Sequence, residues 1–243
     1  MSKGNPPGYK SYPDLEPYTS TNLYGDPKED FKTIGARLKS LLDLHKAYKV
    51  ADLGCGNGAL LYYLHQQYPH WKLYGYDFTS EYIETAQRFE GLKGVNLFHQ
   101  DFLQLKGTFD VVLSTCLLSV FKDIRKPLKK MLGLCRKGGW LLGTGLFNPF
   151  DIEVRVEFCD NTHPQTRGQW RTDFNRHSQQ SIRNLFANKV QTIEFEECPF
   201  GVEIAPDPKN PIRVWTVKND QGRNLLINGA EQICNQTLLI IRK

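Results

Sequence analysis

The sequence predicts a three-layer α/β fold: a largely parallel sheet covered by helices on both faces, with an antiparallel hairpin toward the end of the chain. Three observations predict it. Short apolar strands alternate with amphipathic helices from residue 48 to residue 146, the pattern of successive βαβ units. A glycine-rich turn, Gly54-Cys55-Gly56-Asn57-Gly58, follows the first strand and opens a helix. Near the C-terminus, Asn219–Gly222 and Asn228–Gly229 are turn signals between strand-like runs, so the sheet is expected to be mixed.

Residues 1–25 are rich in proline and tyrosine without periodicity and read as an irregular N-terminal arm, leaving 26–243 as the folded domain. Asp26 and Pro27 are expected to cap and begin a first helix, whose apolar stripe is Phe31, Ile34, Leu38, Leu41 and Leu42. Strands are predicted over 48–53, 72–76, 95–99, 109–114 and 139–146, with helices over 58–68, 80–90 and 123–136. Asp123 is the expected cap of the last of these, and Gly138–Gly139 its left-handed stop. After Phe147 the rhythm breaks. Residues 147–177 are rich in polar residues and too long for a simple connection, so they read as a substrate-side insert. A helix capped at Ser178 follows, then extended chain over 191–197 and strands over 212–218, 225–227 and 237–241.

At 243 residues, with 40% hydrophobic and 23% charged residues, the chain can bury a full core without disulfide or metal staples, and it is neither disordered nor fibrous. No apolar run approaches the roughly 20 residues that cross a bilayer, and the first residues do not resemble a secretory leader, so no membrane insertion and a cytoplasmic location are expected. The six cysteines form no CxxC pair and read as reduced thiols. A net charge of +5 permits acidic partners without demanding one.

The glycine turn at a strand-to-helix junction lets backbone approach a ligand, yet its spacing also suits a nicotinamide or flavin dinucleotide. Asp77, ending the second strand, can accept hydrogen bonds from ribose hydroxyls in either case. Asp52 separates the two. A carboxylate two residues before the first glycine would repel a pyrophosphate, whereas it suits a ligand carrying an ammonium and a sulfonium. Asp101, just past the third strand, can accept from an adenine amine, with Phe78 and Phe102 flanking the ring.

Asp52-Leu53-Gly54-Cys55-Gly56-Asn57-Gly58, Tyr76-Asp77-Phe78 and Gln100-Asp101-Phe102, in this order and spacing, resemble the class I S-adenosylmethionine-dependent methyltransferases over residues 27 to 146. The resemblance implies a Rossmann-like sheet in the order 3-2-1-4-5-7-6, with residues 237–241 as the family's terminal antiparallel strand. It also implies Gly54 and Gly56 against the methionine part, with Asp52 serving its ammonium. Asp77 would hold the ribose, Asp101 and Phe102 the adenine, and Ser114 would lie near the methionine. Members of the family often fold an N-terminal segment over the cofactor, a role that falls to Tyr24. The implied cofactor is S-adenosyl-L-methionine, and its product S-adenosyl-L-homocysteine.

Transfer from a sulfonium needs alignment, exclusion of water and, for a hydroxyl acceptor, a base. Candidate bases are His163, Asp173 and His177, all in or ending the insert. Ser114-Thr115-Cys116 stands where enzymes acting on nucleic-acid amines carry a proline-aromatic motif, which argues against nucleic acid. Acids suited to a catechol-type metal site are absent beside strand four, so no metal is expected. Trp170 to Ser178 and Ile212 to Gly229 resemble, more loosely, methyltransferases of bacterial surface-polysaccharide and sugar pathways, with Asp173 where glycine is usual. The expected acceptor is therefore a small polar or anionic molecule, a sugar hydroxyl above all. The insert's Arg155, Arg167, Arg171 and Arg176, with Phe150, Trp170 and Phe174, suit stacking on such a ring and pairing with an anion. The rival readings are an NAD(P)-dependent oxidoreductase and a non-catalytic cofactor- or RNA-binding module.

Overall fold

The computed structural model describes residues 22–172 and 174–243. Of the N-terminal arm, only a single helical turn, α1 (Asn22–Gly25), falls among them. Helix α2 (Glu29–Leu41) comes next, then β1 (Lys49–Leu53), α3 (Ala59–Gln67), β2 (Lys72–Asp77), α4 (Ser80–Arg88), β3 (Asn96–His99) and β4 (Phe109–Thr115). Helix α5 (Arg125–Leu134) and β5 (Cys135–Gly145) close the alternating part. The insert and tail add β6 (Phe147–Asn148), β7 (Glu157–Cys159), β8 (Trp170–Thr172), β9 (His177–Ser178), α6 (Gln179–Phe186), β10 (Thr192–Glu197), β11 (Trp215–Lys218), β12 (Asn224–Ile227) and β13 (Thr237–Arg242).

Seven strands form one sheet in the order β3-β2-β1-β4-β5-β13-β10. The first five are parallel, and β13 lies antiparallel between β5 and β10. This is the 3-2-1-4-5-7-6 order implied by the motifs, with β13 as strand seven and β10 as strand six. Alternation along each strand sends residues to opposite faces. Val50, Leu113, Leu142 and Ile240 pack under α2, α3 and α4, while Ala51, Leu53, Val112 and Leu141 pack against α5 and α6. Asp52 shares the face of Val50, so it points toward the layer that carries α2.

Several boundaries moved. Helix α2 begins at Glu29, not at Pro27, with Lys28 at its cap. Glu29 and Asp30, not Asp26, supply the first-turn carboxyls, and the Phe31 N–H donates to the Lys28 carbonyl at 3.0 Å. Helix α5 stops at Leu134 because Cys135 already pairs with Phe109; Gly138 therefore lies inside β5, where its N–H donates to the carbonyl of Lys243. Ile124, not Asp123, stands at the cap of α5, although Asp123 just before it accepts from the Arg125 N–H at 2.9 Å. The β11–β12 hairpin forms at the predicted Asn219–Gly222 turn but stands apart from the main sheet. After Asn228–Gly229 the chain makes only the Ile227–Ile233 bridge before β13. Among the described residues no helix is long and apolar enough to cross a membrane.

Candidate active site

The glycine turn joins the end of β1 to α3 with Gly54, Gly56 and Gly58 all in the left-handed region, at φ of 76, 54 and 80°. The Gly54 and Cys55 N–H groups both donate to the Tyr76 carbonyl, at 2.8 and 3.2 Å, which ties the turn to β2. A Cβ on Gly54 would lie 2.9 Å from a Leu117 methyl, so packing as well as conformation demands glycine there. Gly56 differs. A Cβ built on it meets nothing within 4 Å, so its open side is a cradle that a ligand can approach.

Asp77 faces this cradle. Its carboxylate accepts from the Gly56 N–H on one oxygen and the Thr79 N–H on the other, both at 2.9 Å. Burial holds its pKa above the ordinary carboxylate range, and these two N–H groups oppose that. The end of β3 is fastened beside it by the Gln100 N–H on the Asp77 carbonyl, at 2.7 Å. There Asp101 caps a short 3-10 turn over Phe102–Gln104, accepting from Leu103 N–H at 2.8 Å. Phe102 is buried edge-on to Phe121, and Phe78 is half-buried.

Asp52 is 1% exposed, and its Oδ1 has no hydrogen-bond partner. Burial first, then the charges of Asp77 and Asp30, push its pKa up to about 8. Such a group is costly unless a donor or cation meets it. Ser114 is buried on the neighbouring strand and spends its hydroxyl on the Leu53 carbonyl at 3.0 Å, bracing the strand that carries Asp52.

Tyr24 is buried beside the glycine turn. Its hydroxyl donates to the Asn57 carbonyl at 2.7 Å, and its ring stacks on Phe89, 3.8 Å between centroids. Burial raises its pKa to about 12, so the hydroxyl stays a donor. Tyr24 thereby ties α1 to the glycine turn.

The insert is fastened over the carboxyl ends of β4 and β5. Asn175, fully buried, donates its N–H to Ser119 and its amide to the Phe121 carbonyl, at 2.7 and 3.2 Å, and the His177 N–H donates to the Leu146 carbonyl at 3.0 Å. Of the three candidate bases, His163 is exposed, with Nε2 2.7 Å from the Lys209 carbonyl. Asp173 lies outside the described residues. His177 is 2% exposed, with Nδ1 3.0 Å from a Glu153 oxygen and Nε2 buried without a partner. An ionised carboxylate can only accept, so Nδ1 carries the proton and Nε2 is left as the acceptor. Glu153 also accepts from the Ser178 N–H, and Asp151 accepts from the Ser178 hydroxyl that caps α6.

Sequence reasoning missed Asp30 and Glu153. The signal for Asp30 was present: with Ile34 and Leu38 it lies on the buried stripe of α2, where an acid is out of place. Glu153 had no local signal, because its partner is 24 residues away.

The protein groups fit S-adenosylmethionine. The orphaned Asp52 oxygen suits its ammonium, the Gly56 cradle its backbone-facing side, and Asp77 and Asp101 its nucleoside, whereas a pyrophosphate would meet a buried acid. Fold and site together define a class I methyltransferase. Residues 44–167 match the family model of the methyltransferase domain, and the chain belongs to that family, whose methyl donor S-adenosylmethionine is its cofactor. The malonyl-(acyl-carrier protein) O-methyltransferase of Bacillus anthracis is 26% identical over 132 residues, 52% of this chain and 48% of the relative. The chain thus matches about half the length of the curated relatives it resembles. Among solved structures, the magnesium protoporphyrin IX methyltransferase of Synechocystis, with S-adenosylhomocysteine bound, aligns at a TM-score of 0.55 and 16% identity over 88% of this chain and 83% of that one. The N-methyltransferase NodS of Bradyrhizobium japonicum, also with S-adenosylhomocysteine, aligns at 0.51 and 18% identity over 94% and 96%. These likenesses establish the fold. Among the described residues no three His, Cys, Asp or Glu side chains gather as a metal site.

Proposed function

We propose that this protein transfers a methyl group from S-adenosylmethionine to the hydroxyl of a small polar acceptor, a sugar or similar anionic metabolite. The observation that carries the donor half is Asp52, a buried carboxylate with an unpaired oxygen on the strand that leads into an open glycine cradle. Asp77 and Asp101 take the nucleoside at the next two strand ends, with Gly54, Phe78, Phe102 and Ser114 assigned to the same site. Tyr24 acts indirectly, holding the glycine turn in its binding shape.

The bound cofactor supplies a sulfonium methyl whose transfer is an in-line displacement. His177 Nε2 receives the acceptor's hydroxyl proton, and Glu153 fixes the tautomer and stabilises the imidazolium that forms. Within the same insert, Phe150 and Trp170 are each 70% exposed, and Arg155 and Arg167 are exposed as well, residue types suited to a sugar ring bearing an anionic group. The B. anthracis relative is an O-methyltransferase by name, which agrees with oxygen as the receiving atom.

The experiment is turnover of labelled S-adenosylmethionine across a panel of sugars, sugar phosphates and hydroxylated acids, repeated with His177→Ala. A hydroxyl acceptor predicts that kcat falls by about 10²-fold or more in the variant. Equal kcat in both would remove His177 as the base and favour an acceptor, such as a carboxylate, that has no proton to lose.

A further inference from the structure

We infer that Ser119 and Asn175 are positioning residues for the transfer, holding His177 in register with the methyl donor through a closed ring of buried hydrogen bonds; the inference rests on His177 as the base. The ring runs through four residues. The Asn175 N–H donates to the Ser119 carbonyl at 2.7 Å, the Leu146 N–H donates to the Ser119 hydroxyl at 2.9 Å, and the His177 N–H donates to the Leu146 carbonyl at 3.0 Å. The chain from Asn175 to His177 closes it. All four residues are buried, so water does not compete for these bonds.

The 3-10 turn Leu117–Val120, which carries Ser119, is the common reference. Leu117 lies against Gly54, where an added Cβ would sit 2.9 Å from its methyl, and Phe121, next after the turn, meets Phe102 edge-on with 6.4 Å between ring centroids. Asn175 fastens the insert to the same segment twice, because its Nδ2 donates to the Phe121 carbonyl at 3.2 Å in addition to the bond from its N–H. Its Oδ1 accepts from the Val156 N–H at 3.2 Å, three residues past Glu153, and Val154 and Arg176 exchange two backbone bonds of 2.8 Å. Both members of the His177–Glu153 pair are therefore referenced to the turn that packs on the glycine turn. Only an amide supplies both the donor and the acceptor needed here; an ionised aspartate cannot donate to Phe121, and leucine can do neither. Such registry matters for an in-line displacement, where a misplacement of about 1 Å can cost about 10²-fold in rate.

The test reads His177 directly and needs no acceptor. The full chain, carrying isotope-labelled histidine, is titrated with S-adenosylhomocysteine; NMR follows the ring nitrogens of His177, assigned by their loss in His177→Ala, and calorimetry gives the affinity. In the wild type the His177 signals are expected to move on binding. In Ser119→Ala and Asn175→Ala that movement at saturation is expected to fall to half or less, while the affinity for S-adenosylhomocysteine stays within about twofold of wild type. A merely structural anchor predicts a lower melting temperature with the movement intact, and that result overturns the inference. A loss of affinity beyond twofold overturns it as well, by assigning the pair to the donor cradle. Should Asn175→Ala not fold, Ser119→Ala, which removes one oxygen and keeps the backbone bonds of the ring, carries the comparison. His177 signals that ignore bound S-adenosylhomocysteine in the wild type overturn the base reading, and absence of binding overturns the donor reading; both are told apart because they appear without any substitution.

Discussion

Replacing Asp52 with Asn keeps the size of the side chain and one hydrogen-bonding oxygen but removes its ability to ionise. In the ligand-free protein the carboxyl's pKa rises from 3.8 to about 8. At ~1.4 kcal/mol per pKa unit this corresponds to a ceiling of about 6 kcal/mol, of which protein relaxation and water entry leave roughly 2–3 kcal/mol. Because the folded-state pKa is the higher one, wild-type stability from this group is full below pH ~4 and is lost as the pH climbs through 8. Asp52→Asn loses nothing over that window. Its melting temperature is therefore expected to match wild type near pH 4 and to exceed it by about 4–12 °C at pH 8.5, at ~2–4 °C per kcal/mol for a chain of this length. The same variant should bind S-adenosylhomocysteine about 10- to 100-fold more weakly, the loss expected when a charged hydrogen-bond acceptor is removed. Circular-dichroism melts across this pH range, with and without ligand, provide the assay. A variant that melts at or below wild type at pH 8.5, or that retains wild-type affinity, refutes the reasoning.

Three further perturbations probe separate parts of the site. Gly56→Val forces a β-branched residue into φ 54° and fills the open cradle, so a folded variant should lose detectable donor binding in calorimetry. Asp77→Ala should weaken the donor by about 1–3 kcal/mol and also lower the melting temperature, because it strands the Gly56 and Thr79 N–H groups. Tyr24→Phe removes one hydrogen bond to the Asn57 carbonyl and should cost about 1 kcal/mol of stability by thermal melt, with donor affinity falling only as far as the glycine turn loosens.

The parallel half of the sheet was legible because each strand, turn and helix announces itself locally. Val50 to Leu53 is a short buried run, the glycines sit where the backbone turns left-handed, Asp77 ends strand two and Asp101 caps the turn just past strand three. What escaped depends on distant partners. Cys135 leaves the helix early because Phe109 pairs with it, and the glycines after it are drawn into a strand completed by the chain's last residues. His163 and His177 look alike in sequence, yet one has a ring nitrogen against the Lys209 carbonyl, 46 residues on, while the other is locked to Glu153. Asp30 was readable in principle from its place on an apolar stripe; the polar start of the helix masked it.

The central claim is that carboxylates at the ends of β1, β2 and β3 are arranged for a cationic methyl donor and not for a dinucleotide. Parallel calorimetric titrations of the wild-type chain with S-adenosylhomocysteine and with NAD test it most directly. The account predicts a single saturable site for S-adenosylhomocysteine and no heat of binding for NAD. Saturable NAD binding, or silence with S-adenosylhomocysteine, would contradict it.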